Sequence, residues 1–266
     1  MSTEAKIPKI RVGVPYPNNG GIQEQAKISL MKLKECKELD VEILELQGAS
    51  ISVLRNQGVN RQRSQKIKQN NFGFDYYMCV DSDIEFKPED VVTLVNSGHD
   101  IITGAYQFRV DSNFMVAGRY TGTKGVIVQG DDFLLWNEAG IQEIDWAGAG
   151  FLLIKAEVLE KLEYPWFREE VIKFENCGVP HATWVGEDVG FCLAAQKAGY
   201  KIYCDCDVKV NHLVGKPFER SYSVDEAYQE AMMTLQKMKN MVDMFYGGLK
   251  KFEQNVKNPD NNIIGE

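Results

Sequence analysis

Asp81 and Asp83 stand one residue apart, directly after the apolar run Tyr76–Val80. Two carboxylates at such a point supply hard oxygen ligands of the kind that Mg²⁺ and Mn²⁺ take, leaving their other positions to water and phosphate oxygens. An ion held there would act as a Lewis acid on a departing diphosphate. The same residues could equally cap a turn, so the triplet Asp81-Ser82-Asp83 draws its meaning from its company. A second acidic pair, Glu187-Asp188, follows Gly186 where a helix opens. Taken alone, a carboxylate there is a good N-terminal cap. The chain has three histidines. His212 ends a stretch that starts at Asp205, whereas His99 and His181 have no comparable setting.

These groups need elements to position them. Ile10–Pro15 reads as a strand that ends in the turn-rich Pro15–Gly21. A helix is expected over Ile22–Glu38, with Ile28, Met31 and Leu33 on its apolar side. Val41–Leu46 reads as a second strand and Asn60–Gln69 as a second helix. Phe74–Val80 is the most apolar strand of this half. Pro88 suits the first turn of a helix over Glu89–Asn96, and Ile101–Tyr106 is the next strand. Alternation of this kind implies a parallel sheet covered by helices on both faces. Phe114–Leu135, broken by four glycines, reads as hairpins. Ala156–Leu162 and Val189–Ala198 are helical, and Gly199 caps the second. Lys201–Tyr203 and Val208–Asn211 read as short strands leading to His212. In an open α/β sheet, ligands bind outside the carboxyl ends of the strands, which is where the acidic triplet falls.

Bulk properties narrow the classes. A net charge of −8 and a pI near 5.1 argue against a nucleic-acid partner. They leave an anionic substrate open, because a bound metal can reverse the local field. No apolar run approaches the ~20 residues of a membrane span, and the polar Met1–Arg11 lacks the apolar stretch of a secretory signal. Six cysteines without a CxxC pair read as reduced thiols in a cytoplasmic protein.

Several of these segments together resemble the GT-A-fold glycosyltransferases, in particular the inverting, family-2-like members. The strand followed by Asp81-Ser82-Asp83 resembles their DxD motif. That resemblance implies Asp83 as the direct metal ligand, with Asp81 on the donor ribose or a metal-bound water. Val14–Asn18 is similar to the first-strand exit that holds the nucleotide base, which points to Pro15 and Tyr16. Asn60–Ser64 resembles the helix start whose arginine lies near the donor, so Arg61 and Arg63 share that candidacy; a helix start with arginines is also an anion site on physical grounds. Gly186–Phe191 is similar to the family's Glu-Asp motif, which implies Asp188 as general base, ahead of Glu187. His212 matches the strand-end histidine that completes the metal site. The resemblance covers about Lys9 to Gly215. It implies a Rossmann-type mixed sheet flanked by helices over residues 1–220, Mn²⁺ or Mg²⁺ as cofactor, and a nucleoside-diphosphate-sugar donor, UDP-linked by family default.

On the acceptor side, Trp146-Ala147-Gly148-Ala149-Gly150 offers small residues for close approach and Trp146 as a stacking face. Tight strand crossing around a core Trp146 explains the same residues. Trp184 and Asp145 are further acceptor candidates; the acceptor itself would be a glycan or another hydroxyl compound. Two rivals remain: a nucleotidyltransferase that makes a nucleotide-sugar, and a non-catalytic nucleotide- or glycan-binding protein. The first expects a basic Gly-rich loop after the first strand, yet no Lys or Arg occurs there before Lys27. Residues 221–266 read as a Met-rich helical extension and tail. Packing on the catalytic domain is the favoured role for it, with a homodimer contact or a membrane surface as alternatives.

Overall fold

In the computed structural model, residues 6–61, 69–109, 113–126, 132–176 and 178–213 are described, and the structural statements below concern these. Alternating apolar positions make Lys9–Pro17 a strand, β1, with Ile10, Val12 and Val14 buried. Helix α1 (Glu24–Lys34), strand β2 (Asp40–Gly48) and helix α2 (Ile51–Asn60) follow. Next come β3 (Tyr76–Val80), the short β4 (Ile84–Glu85), α3 (Pro88–Asn96) and β5 (Ile101–Ala105). The middle section holds β6 (Phe114–Gly118), β7 (Phe133–Leu135), β8 (Ile141–Ile144), β9 (Trp146–Ala147) and β10 (Phe151–Lys155). Helix α4 (Ala156–Lys161), the hairpin β11 (Glu170–Asn176) and β12 (Val179–Val185), α5 (Glu187–Lys197), β13 (Ile202–Lys209) and β14 (Asn211–His212) complete the described chain.

One seven-stranded sheet runs in the order β2-β1-β3-β10-β5-β13-β8. Strand β1 pairs in parallel with both β2 and β3, and β13 is parallel to β5. Strand β10 is antiparallel between β3 and β5, and β8 is antiparallel at the edge. The sheet is therefore mixed, as the resemblance implied, and the all-parallel sheet expected from alternation alone is corrected. Local alternation does not reveal that β10 inserts in the middle, because its neighbours are far away in sequence. The architecture is a Rossmann-like α/β fold with helices flanking the sheet.

The strand order sets the location of the site. From β1 the chain goes to one side for β2, then crosses over to the other side for β3. Such a reversal opens a crevice at the carboxyl ends of the two diverging strands. Tyr16 leaves β1 there, and Asp81-Ser82-Asp83 leaves β3.

Other expectations are adjusted by packing. Helix α1 buries Ala26, Ser29, Leu30 and Leu33, while Ile28 and Met31 are 44% and 59% exposed. Its apolar side is thus rotated from the expected one, because Ser29 faces inward to accept the backbone N–H of Phe86 at 3.0 Å. A helix not expected from the sequence, α2, ends at Asn60, and residues 62–68, which make up most of the helix expected over Asn60–Gln69, lie outside the described ones. The two strands expected near the end form one, β13, interrupted by a register shift between Asp205 and Lys209. The β11–β12 hairpin was not anticipated. Residues 214–266, and with them the expected C-terminal extension, lie outside the described residues. Among the described residues, no helix is long and apolar enough to cross a membrane.

Candidate functional site

The crevice at the ends of β1 and β3 contains a cavity of about 290 Å³. Pro15, Tyr16 and Pro17 line it from β1, and Gly48, Ala49, Ile51, Leu54 and Arg55 from the β2–α2 junction. Asp81, Ser82, Asp83 and Arg109 complete the lining. Five candidates from distant parts of the chain, Pro15, Tyr16, Asp81, Ser82 and Asp83, thus meet in one pocket.

The acidic triplet is pinned on several sides. The Asp81 backbone N–H donates to Gly150 O at 2.9 Å, and Ser82 O accepts from Gln23 N at 2.8 Å where α1 begins. Asp83 O accepts from Leu213 N at 2.7 Å. The small antiparallel pair β4–β14 sets His212 opposite Ile84, beside Asp83. His212 Nε2 lies 3.5 Å from Asp83 Oδ2, and Nδ1 lies 2.8 Å from Gln107 O. A carbonyl can only accept, so Nδ1 carries the proton, and the Nε2 lone pair accepts from Arg109 Nε at 3.3 Å. This is the tautomer a histidine metal ligand adopts when its second nitrogen is held by a carbonyl.

Asp83 is 5% exposed, and its Oδ1 is buried without a hydrogen-bond partner. A buried carboxylate oxygen left unsatisfied carries a desolvation cost that a cation would offset. Burial pushes the Asp83 carboxyl up, but His212 and Arg109 outweigh it, and the net direction is down. Burial lowers His212, yet Asp83 and the Gln107 carbonyl raise it overall.

Arg55, on α2, joins the two acidic motifs. It donates to Asp81 Oδ1 at 2.9 Å, to Glu187 Oε1 at 2.9 Å and to Ala149 O at 2.6 Å. With a side chain only 5% exposed, this guanidinium is buried, paired and oriented. Burial also pushes the Asp81 carboxyl up, and Asp83 and Glu187 reinforce the shift against the pull of Arg55.

Glu187 is therefore engaged in structure, while Asp188 is not. Asp188 Oδ1 accepts from Val189 N at 2.7 Å at the start of α5, and among the described residues no hydrogen bond reaches Oδ2. Burial, then the neighbouring Glu187, push its carboxyl up to about 6. A carboxylate so raised is still mostly ionised near neutral pH and is a stronger base than an ordinary one.

The remaining candidates divide sharply. Arg61 caps α2 in the left-handed conformation and pairs with Glu42, away from the cavity lining; the helix start proposed for it is a helix end. Arg63 lies outside the described residues. Trp146 is 3% exposed and packs edge-on against Phe133, so it is a core residue and not a stacking face. Gly148 and Gly150 exist for close approach, since a Cβ at either would collide with the Tyr106 hydroxyl. Asp145 accepts from Tyr120 N through Oδ2 and from the Gln196 amide through Oδ1, which fixes it within the wall. Trp184 is 74% exposed on β12, two residues ahead of Gly186.

Sequence reasoning missed Arg55 and Arg109. The signal for Arg55 was a lone charge among Ile51, Val53, Leu54 and Val59; for Arg109, it was proximity to the exit of β5. Among the described residues, no three His, Cys, Asp or Glu side chains converge as a metal cage. Asp83 and His212 would be two protein ligands, with other positions left to water and phosphate oxygens, a usual arrangement for Mg²⁺ and Mn²⁺. The orphaned Asp83 Oδ1 and the His212 tautomer fit such an ion.

No family model and no curated protein matches the chain. Among solved structures, "Crystal Structure of A197 from STIV" is similar over 82% of this chain and 99% of that one, at 17% identity and a TM-score of 0.44.

Proposed function

We propose that this chain is a metal-dependent glycosyltransferase that moves a sugar from a nucleoside-diphosphate-sugar to a hydroxyl acceptor with inversion. One observation carries the reading. The crevice between β1 and β3 gathers Pro15, Tyr16 and the acidic triplet around a cavity, with Asp83 and His212 side by side at its edge. The pattern agrees with a GT-A-like donor site.

Asp83 and His212 would hold the ion, and Mn²⁺ or Mg²⁺ bound there would supply neutralisation of the departing diphosphate. Pro15 and Tyr16 offer the apolar side of the cleft to the base. Asp81 is held by Arg55, which makes it a positioned acceptor for a donor hydroxyl and not a free ligand. Asp188 takes the proton of the incoming acceptor hydroxyl at its unpaired oxygen. Glu187 and Arg55 tie the donor and base motifs into one rigid unit. Trp184, exposed just before α5, offers an aromatic face to an acceptor sugar. The five described cysteines are free thiols, which supports a cytoplasmic setting.

A panel of nucleotide-sugars assayed for transfer and hydrolysis with and without Mn²⁺ tests the reading. Mn²⁺-dependent turnover of at least one donor is expected. Absence of both binding and turnover across the panel would sink it, and release of pyrophosphate from a nucleoside triphosphate and a sugar phosphate would favour a nucleotidyltransferase.

A further inference from the structure

Arg109 stands where the preceding reading puts a divalent ion. One Nη lies 2.5 Å from Asp83 Oδ2, and Nε lies 3.3 Å from His212 Nε2. These are the two side chains assigned to the ion. Yet the Arg109 side chain is 69% exposed, while Asp83 and His212 are 7% and 13% exposed. The cation reaches in from the rim to a buried pair.

The grip is also incomplete. A bidentate guanidinium would serve both carboxylate oxygens, but here Asp83 Oδ1 is buried without a partner. Arg55 makes the contrast clear, since its three buried hydrogen bonds leave it no freedom to leave. An exposed arginine bound to one carboxylate oxygen and, at 3.3 Å, to one imidazole nitrogen is weakly held. Arg109 also lines the donor cavity, so a short swing keeps it within the same crevice.

We propose that Arg109 is an exchangeable occupant of the cation site. It neutralises Asp83 while no divalent ion is bound, gives way when the ion enters, and then turns to the donor's diphosphate. The proposal rests on the donor-site reading above. Its consequence is a coupling. An ion binding alone must displace Arg109, whereas an ion arriving with a diphosphate gives the displaced guanidinium an anionic partner. Ion and diphosphate therefore favour one another through this side chain, and linkage makes the effect reciprocal.

The test uses Arg109→Gln, which keeps length and polarity but not charge. Binding of Mn²⁺ alone is followed by the loss of its free-ion electron paramagnetic resonance signal. Binding of UDP, GDP, ADP and CDP at saturating Mn²⁺ is followed by calorimetry. Arg109→Gln is expected to tighten Mn²⁺ alone roughly 5-fold and to weaken the preferred diphosphate about 10-fold. The opposite signs are the signature, because a merely structural role would move both the same way. Unchanged or weaker Mn²⁺ binding in Arg109→Gln overturns the exchange while leaving the site reading intact, provided that Asp83→Asn abolishes binding. Unchanged diphosphate affinity overturns it as well. If wild type binds no Mn²⁺, or Asp83→Asn binds it equally, both the donor-site reading and the exchange fail.

Discussion

The crevice around Asp83 and the wall around Trp146 lie close along the chain's fold but are built on opposite terms. In the wall, Asp145 has both oxygens committed to Tyr120 and Gln196, and Trp146 is packed against Phe133. In the crevice, Asp83 keeps a buried oxygen without a partner, and at the start of α5 burial raises the Asp188 carboxyl. The wall therefore reads as structural through its packing, although Trp146 Nε1 and Gln196 Oε1 are, like Asp83 Oδ1, buried without a hydrogen-bond partner. Asp81 and Glu187 pair with Arg55 and Asp83 with Arg109, while Asp188 has no ion pair among the described residues, an excess of negative charge that the proposed divalent ion would offset. What separates the two is that the orphaned atom of the crevice belongs to a carboxylate, whereas those of the wall belong to neutral groups.

The largest expected effect tests the crevice directly. Asp188→Asn should lower transfer turnover about 10²–10⁴-fold with little change in donor affinity, measured by steady-state kinetics and calorimetry. Near-full turnover in that variant would remove Asp188 from the mechanism. The same substitution should stabilise the fold. Because the native carboxyl is raised to about 6, the native state holds its proton to higher pH than the unfolded chain does. Native stability from this group is thus lost as pH rises through the window from roughly 4 to 6. At pH 7, Asn should gain roughly 2–3 kcal/mol in urea unfolding, and the gain should vanish below about pH 4. Wild-type turnover should fall on the acid side of about pH 6 as the base protonates.

Next in size, Arg55→Met should cost about 3–5 kcal/mol in urea unfolding, because it strands Asp81 and Glu187 without their counter-charge. A neutral outcome would mean that the two motifs are not braced through this residue. Trp146→Ala should cost about 3–5 kcal/mol as a cavity mutation, while the folded protein keeps the donor affinity of the wild type; loss of acceptor affinity out of proportion to stability would return Trp146 to the proposed site. Smallest in stability is Trp184→Ala, expected within about 0.5 kcal/mol of wild type. Its acceptor KM should nonetheless rise several-fold, and an unchanged KM would make the exposed indole irrelevant to the acceptor.

Much of the donor side was legible because it is local. Asp81-Ser82-Asp83 directly follows a strand, Tyr16 leaves another, and Glu187-Asp188 opens a helix; in each case the element that presents the side chain is adjacent in sequence. Arg55 was illegible for the opposite reason. Its partners are Asp81 and Glu187, 26 and 132 residues away, and nothing in the pattern of α2 says which charge a buried arginine will meet. Helix α2 was not expected from the sequence although it opens at the Ser50 cap, whose hydroxyl accepts from Val53 N. Trp146 was open between core and stacking face, since an aromatic residue among glycines fits both until burial is known.

Side-chain chemistry and strand-end placement were thus set by residues within a few positions of one another: where carboxylates leave strands, and where a base can sit on a helix. Which of those groups share a pocket depended on the crossover from β2 past β1 to β3 and on β10 inserting antiparallel between β3 and β5. Those pairings join residues far apart in the chain, so no local period encodes them. They brought His212 to Asp83, buried Arg55 between two acidic motifs, and left one buried oxygen of Asp83 without a hydrogen-bond partner.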